Sequence, residues 1–123
     1  MEEHKTNGGT VLLIHEFVVA NPIDLTADIT YEFLKGKEYI QIPDDCILHY
    51  INTSNTSFLG QWDYIGNEHL GFNYHGITII LNKDLGELIT SLCILDKDGG
   101  VELLIRLCKV AKANGQAVIH FGV

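Results

Sequence analysis

The spacing of apolar residues changes near residue 83, from the alternation of strands before it to the three-and-four spacing of helices after it. From Ile23 to Phe33 the alternation is strict: Ile23, Leu25, Ala27, Ile29, Tyr31 and Phe33 interleave with Asp24, Thr26, Asp28, Thr30 and Glu32. That pattern predicts a strand with one buried and one wet face. Asn21 and Pro22 could instead cap a helix with Asp24 in its first turn, but a helix would scatter the six apolar side chains around its circumference. Before this segment, Val11 to Ala20 is apolar apart from His15 and Glu16, as expected of a central strand covered on both faces.

Short strand-like pieces follow at 38–43, 46–52, 58–65 and 69–81. They are separated by turn chemistry at Pro43 to Asp45, Asn52 to Ser57 and Gly66 to Glu68. In the last piece Leu70, Phe72 and Tyr74 share one parity and Ile77, Ile79 and Leu81 the other, which predicts a bulge at Gly76. Beyond Lys83, the spacing of Leu85, Leu88, Ile89, Leu92 and Cys93 predicts a helix capped by Asp84 with Glu87 three residues on. Val101, Leu104, Ile105, Leu107, Cys108 and Ala111 form a second apolar face, ended by Asn114 and Gly115. Ala117 to Phe121 reads as a closing strand. The expected fold is α+β: a curved, mostly antiparallel sheet of about six to seven strands, with a C-terminal helix pair packed on one face and a closing C-terminal strand.

Composition adds limits. With 123 residues and 46% hydrophobic content, the chain fits a single globular domain, residues 1–123, with a core large enough to need neither metal nor disulfides. A net charge of −8 argues against direct binding to nucleic acid or to an anionic membrane, both of which call for clustered Lys and Arg. That charge is also unevenly spread. Between Lys37 and Lys83 there is no Lys or Arg, while Glu38, Asp44, Asp45, Asp63 and Glu68 fall there beside Tyr39, Tyr50, Phe58, Trp62, Tyr64, Phe72 and Tyr74. Such a segment projects a negative potential suited to steering a basic partner. The polar N-terminus lacks the pattern of a secretory signal, and Cys46, Cys93 and Cys108, an odd number lying far apart, read as reduced core residues. A cytoplasmic protein is expected.

Candidate catalytic chemistry finds little support. His49, His69 and His75 lie near Asp63 and Glu68, but their spacing matches no zinc or facial-triad pattern. Cys93 and Cys108 are expected to be buried on apolar helix faces, and Cys46 sits beside Asp44 and Asp45, whose charge disfavours a thiolate. Asp96-Lys97-Asp98-Gly99-Gly100 begins like a calcium loop, yet Leu107 stands where a Glu is needed. Neither Gly8-Gly9 nor Gly99-Gly100 has the context of a phosphate cradle. No enzyme activity, metal or cofactor is expected.

In size, acidic balance and the carboxylates Asp44, Asp45, Asp63 and Glu68 beside Trp62 and Tyr64, the chain resembles the immunity proteins that accompany bacterial contact-dependent and polymorphic toxins. The resemblance is one of general character and involves no motif. It implies a cognate basic toxin, such as a nuclease, whose active cleft is covered by an acidic, aromatic-containing patch. On that reading Asp44, Asp45, Asp63 and Glu68 are solvent-facing charge contacts, Trp62 and Tyr64 anchors and Asn67 a hydrogen bonder at a turn tip, all on a protein that is monomeric or weakly dimeric when free. Two other classes stay open. One is a ligand-binding module or small enzyme with a pocket around His49, Tyr50, Tyr64, Tyr74 and His75. The other is a structural subunit whose exposed strands complete an oligomer.

Overall fold

The structure is a computed structural model that describes residues 4–7, 10–26, 29–53, 59–62, 69–70, 72, 74–96 and 99–123. Its strands are β1 (His4–Asn7), β2 (Thr10–Ala20), β3 (Tyr39–Pro43), β4 (Leu59–Trp62), β5 (His69–Leu70), β6 (Ile77–Ile80) and β7 (Ala117–Phe121). Its α-helices are α1 (Asp44–Thr53), α2 (Asn82–Leu95) and α3 (Glu102–Ala113), and two 3-10 segments span Pro22–Thr26 and Tyr31–Leu34. The class is α+β. Four antiparallel strands, β3-β2-β7-β6, carry the centre of a seven-stranded sheet. The short β1 pairs with the start of β2, and β4 and β5 extend the margin beyond β6.

Strand β2 is central, as its apolar sequence predicts, because it pairs with β1 and β3 on one side and β7 on the other. Its alternation divides two cores. Phe17 packs with Ile42, Ile47, Ile80, Val118 and the helix residues Leu85, Leu88, Leu92, Leu104 and Cys108, whereas Val18 and Ala20 pack with Ile29, Ile79, Ile119 and Phe121 under Leu25, Phe33 and Leu34. Helix α3 lies over β2, β3 and β7, while α2 contacts α3 and β7, and α1 contacts β2 and β3. Leu104 is fully buried in this layer. Leu104→Ala should therefore cost about 3 kcal/mol through lost burial and a residual cavity. Urea unfolding would measure it, and a loss below about 1 kcal/mol would show that α3 packs loosely.

Both C-terminal helices form where their periodicity places them, with a different start to α2. Leu81 occupies its cap position without a side-chain bond, and Asp84 sits in the first turn. The Asn82 amide reaches across instead, donating to the carbonyls of Ala111, Lys112 and Gln116 at 3.3, 3.4 and 2.9 Å. It thereby adds a side-chain donor to carbonyls at the end of α3 and just beyond it. That end is a Schellman turn: Gly115 takes φ +69°, Gln116 N–H bonds Ala111 O at 2.9 Å and Gly115 N–H bonds Lys112 O at 3.5 Å.

Two strand expectations fail. The segment 23–33 contains 3-10 turns, and Ile23 is 77% exposed. Cap chemistry outweighs alternation here. Asp24 accepts from Asn21 N–H at 3.0 Å, Thr30 accepts from Glu32 N–H at 3.2 Å, and Pro22 favours the first helical position. The segment 46–52 is helix α1, because Ile47, Tyr50 and Ile51 stand at i, i+3 and i+4 and meet the main core. Pro43-Asp44-Asp45 accordingly starts a helix. The predicted strand over 69–81 is interrupted: β5 ends at Leu70, residues 74–76 turn, and β6 begins at Ile77, so Gly76 lies in a turn and not in a bulge.

A buried Asp-His-His-Thr chain and an apolar groove

Antiparallel pairing brings polar side chains to the helix side of the sheet at one point. His120 on β7 lies opposite Phe17 on β2 and opposite Thr78 on β6; His15, two residues before Phe17, projects to the same face. Strand β3 ends at Pro43 opposite Ile14, so the first residue of α1, Asp44, arrives beside His15. The result is a continuous chain. His15 Nε2 lies 2.8 Å from Asp44 Oδ1, His15 Nδ1 lies 2.8 Å from His120 Nε2, and His120 Nδ1 lies 3.5 Å from Thr78 Oγ1. His15, His120 and Thr78 are fully buried. Rings enclose them: His120 packs on Phe17 and Phe72, and Tyr74 meets His15 edge-on at 5.4 Å.

Proton positions follow from this geometry. A carboxylate accepts only, so His15 Nε2–H donates to Asp44; His15 Nδ1 then accepts from His120 Nε2–H, and His120 Nδ1 accepts from the Thr78 hydroxyl. Both imidazoles are neutral in this scheme. Burial holds the His15 pKa below 6.5 despite the hydrogen bond and charge of Asp44, with His75 adding to the lowering; burial and then the proximity of His15 push His120 well below. Burial, followed by the hydrogen bond and charge of Asp44, raises the Tyr74 hydroxyl to about 12. Thr78 has the neighbour a hydroxyl nucleophile would need. Its complete burial denies a substrate access, so the chain acts in the free protein as a polar clasp between α1 and three strands.

The predicted contact residues fare differently from one another. Asp44 is 9% exposed and committed to His15, which corrects its assignment to solvent: at the N-terminus of α1, its side chain turns inward towards β2. Asp45 is exposed on α1. Trp62 ends β4 opposite Ile77, whereas Asp63, Tyr64, Asn67 and Glu68 lie outside the described residues. Of the alternative pocket, His49 is exposed, Tyr50 is buried against Phe72, and His75 is exposed and donates to the Val123 carbonyl at 3.2 Å; Tyr64 lies outside the described residues. Cys93 is exposed, not buried, while Cys108 is buried and burial pushes its thiol up to about 12. Among the described residues, no three His, Cys, Asp or Glu side chains are grouped to hold a metal ion, and no helix is long and apolar enough to cross a membrane.

A separate groove of about 670 Å³ runs along the margin of the sheet, lined by Val19, Lys37, Glu38, Tyr39, Ile40, Leu107 and Val110. No residue of the alternative pocket lines it. No protein-family model matches the chain, and none of the curated proteins or solved structures compared with it is significantly similar.

Proposed function

We propose that this chain is an immunity-type inhibitor that binds a basic protein toxin, such as a nuclease, in the cytoplasm and covers its active cleft. The observation that carries the reading is the absence of Lys and Arg between Lys37 and Lys83, a segment that presents Glu38, just before β3, and Asp45, on α1, to solvent. A nuclease cleft is basic because it must hold phosphates. Carboxylates aimed at it speed association, and a desolvated aromatic side chain slows dissociation. The proposed contact set is Asp45, Asp63, Glu68 and Asn67, with Trp62 and Tyr64 as anchors; Asp44 leaves the set because its carboxylate is committed internally.

The test pairs the protein with the toxin domain encoded beside its own gene. Co-production should restore growth, and the association rate should fall at least about tenfold between low and physiological ionic strength. Replacing Asp45, Asp63 and Glu68 together with Asn or Gln should slow association while leaving stability within about 0.5 kcal/mol. Failure to protect, or a salt-independent association rate, would overturn the reading.

A further inference from the structure

The open margin of the sheet suggests how a partner docks. Among the described residues β3 pairs with β2 alone, and no described strand lies against its outer backbone edge. Such an edge presents N–H and C=O groups that an added strand can satisfy. The groove lies beside this edge on the helix side. Ile40 and Val19 form its floor and Leu107 and Val110 its α3 wall, and Tyr39, Glu38 and Lys37 line its strand edge. Val110 on α3 is 56% exposed, and Tyr39, on the opposite face of β3, is 41% exposed.

We infer that β3 and this groove together form a docking site for an extended, basic segment of a partner protein, which adds a strand to β3. Side chains of an added strand alternate between the two sheet faces. Every second one would enter the groove against Leu107 and Val110, and the rest would stay on the opposite face. Charge selects the partner's chemistry. Exposed carboxylates flank the edge, Glu38 just before its start and Asp45 just beyond its end, while of the nearby cations Lys37 is drawn over the Phe33 ring at 4.6 Å and Arg106, one turn before Val110, is paired with Glu102 at 2.7 Å. A second copy of this chain is the less fitting occupant. Each copy carries a net charge of −8, and Pro43 ends β3 without an N–H to offer.

The inference rests on the inhibitor reading for the partner's identity, but its test does not require the toxin. The probe is a short peptide of alternating valine and lysine, with a control carrying proline at its centre. Binding should shift the methyl signals of Val19, Leu107 and Val110 and slow hydrogen exchange at the amides of residues 39–42, and the proline control should do neither. Val110→Lys should weaken the peptide at least about tenfold. Ile94→Lys, an equally tolerant change at a 70% exposed position on α2, should leave it unaltered. Peptide shifts that spare residues 39–42, or equal affinity for Val110→Lys, would overturn the site. A dimer that forms with rising concentration, protects the same amides and is abolished by Val110→Lys would overturn the assigned partner in favour of a second copy. If the peptide docks as described but the neighbouring toxin is not neutralised, the inhibitor reading fails and the groove stands; neutralisation unaffected by Val110→Lys has the opposite meaning.

Discussion

Replacing His120 with alanine should cost about 5 kcal/mol, enough to bring a domain of ordinary stability close to unfolding. Two effects add. Removing a ring that packs on Phe17, Phe72 and His15 in a fully buried site leaves a cavity, and aromatic-to-alanine changes in cores cost about 3–5 kcal/mol. The second is polar: His15 Nδ1 loses its donor and stays in a dry site, worth about 1–3 kcal/mol. His120→Leu separates them, because leucine refills most of the volume and restores no hydrogen bond. That variant should recover roughly half of the loss. Thr78→Val, which keeps the shape and removes the hydroxyl, should cost about 1 kcal/mol, since its bond to His120 is long at 3.5 Å. Urea midpoints measure all three. A His120→Ala variant destabilised by less than about 1 kcal/mol would mean the chain of side chains is incidental to stability.

The sequence makes the parts of this fold legible where one face of an element alone decides its fate. Helix α3 has an apolar stripe through Leu104, Ile105, Cys108 and Ala111, all buried, and its glycine stop is where the chain reverses. Strand β7 is buried along its whole length, and a run of five residues that is apolar apart from His120 reads correctly as a strand. Cys93 shows how periodicity drifts. At eight residues from Leu85 it lies about 80° around the helix from it, enough to reach solvent.

Segments 23–33 and 46–52 depart from the expected strands for a related reason. Each carries a local helical signal beside its strand-like one, the caps at Asp24 and Thr30 in the first and the i, i+3, i+4 spacing of Ile47, Tyr50 and Ile51 in the second, and burial against distant strands adds to it. Ile23 is left in water while Ile29 is buried on the second face of the sheet, a choice that depends on β2, β7 and β6 already being in place. The same holds for the polar chain. His15 and Glu16 stand out as polar residues in a strand that should be dry, which signals that each must find a partner. Nothing local identifies it: Asp44 is 29 residues away and His120 is 105. The uneven charge, by contrast, is a property of composition and needs no tertiary contact to be seen. It identifies a candidate surface, but not that one of its five carboxylates turns inward.

Acid should destabilise the protein steeply, and the slope should count the buried histidines. Both imidazoles are neutral when folded, with pKa values below 6.5, His120 well below. In the unfolded chain each would protonate near 6.5 as the pH falls. The unfolded state then binds more protons than the folded state, so stability falls as pH falls from about 6.5 towards the folded values. Each histidine contributes up to about 1.4 kcal/mol per pH unit in that window, and the two together up to about 2.7 kcal/mol per unit. The His15 share should end at a higher pH than that of His120, because the hydrogen bond and charge of Asp44 oppose its lowering. Urea unfolding at intervals from about pH 7.5 to about pH 5 would yield the slope directly. His120→Leu removes one titrating group and should cut that slope by about half. Stability that stays level down to about pH 5 would mean that His15 and His120 take up protons without leaving the fold. The neutral, one-directional pattern of donors from Thr78 to Asp44 would then be wrong.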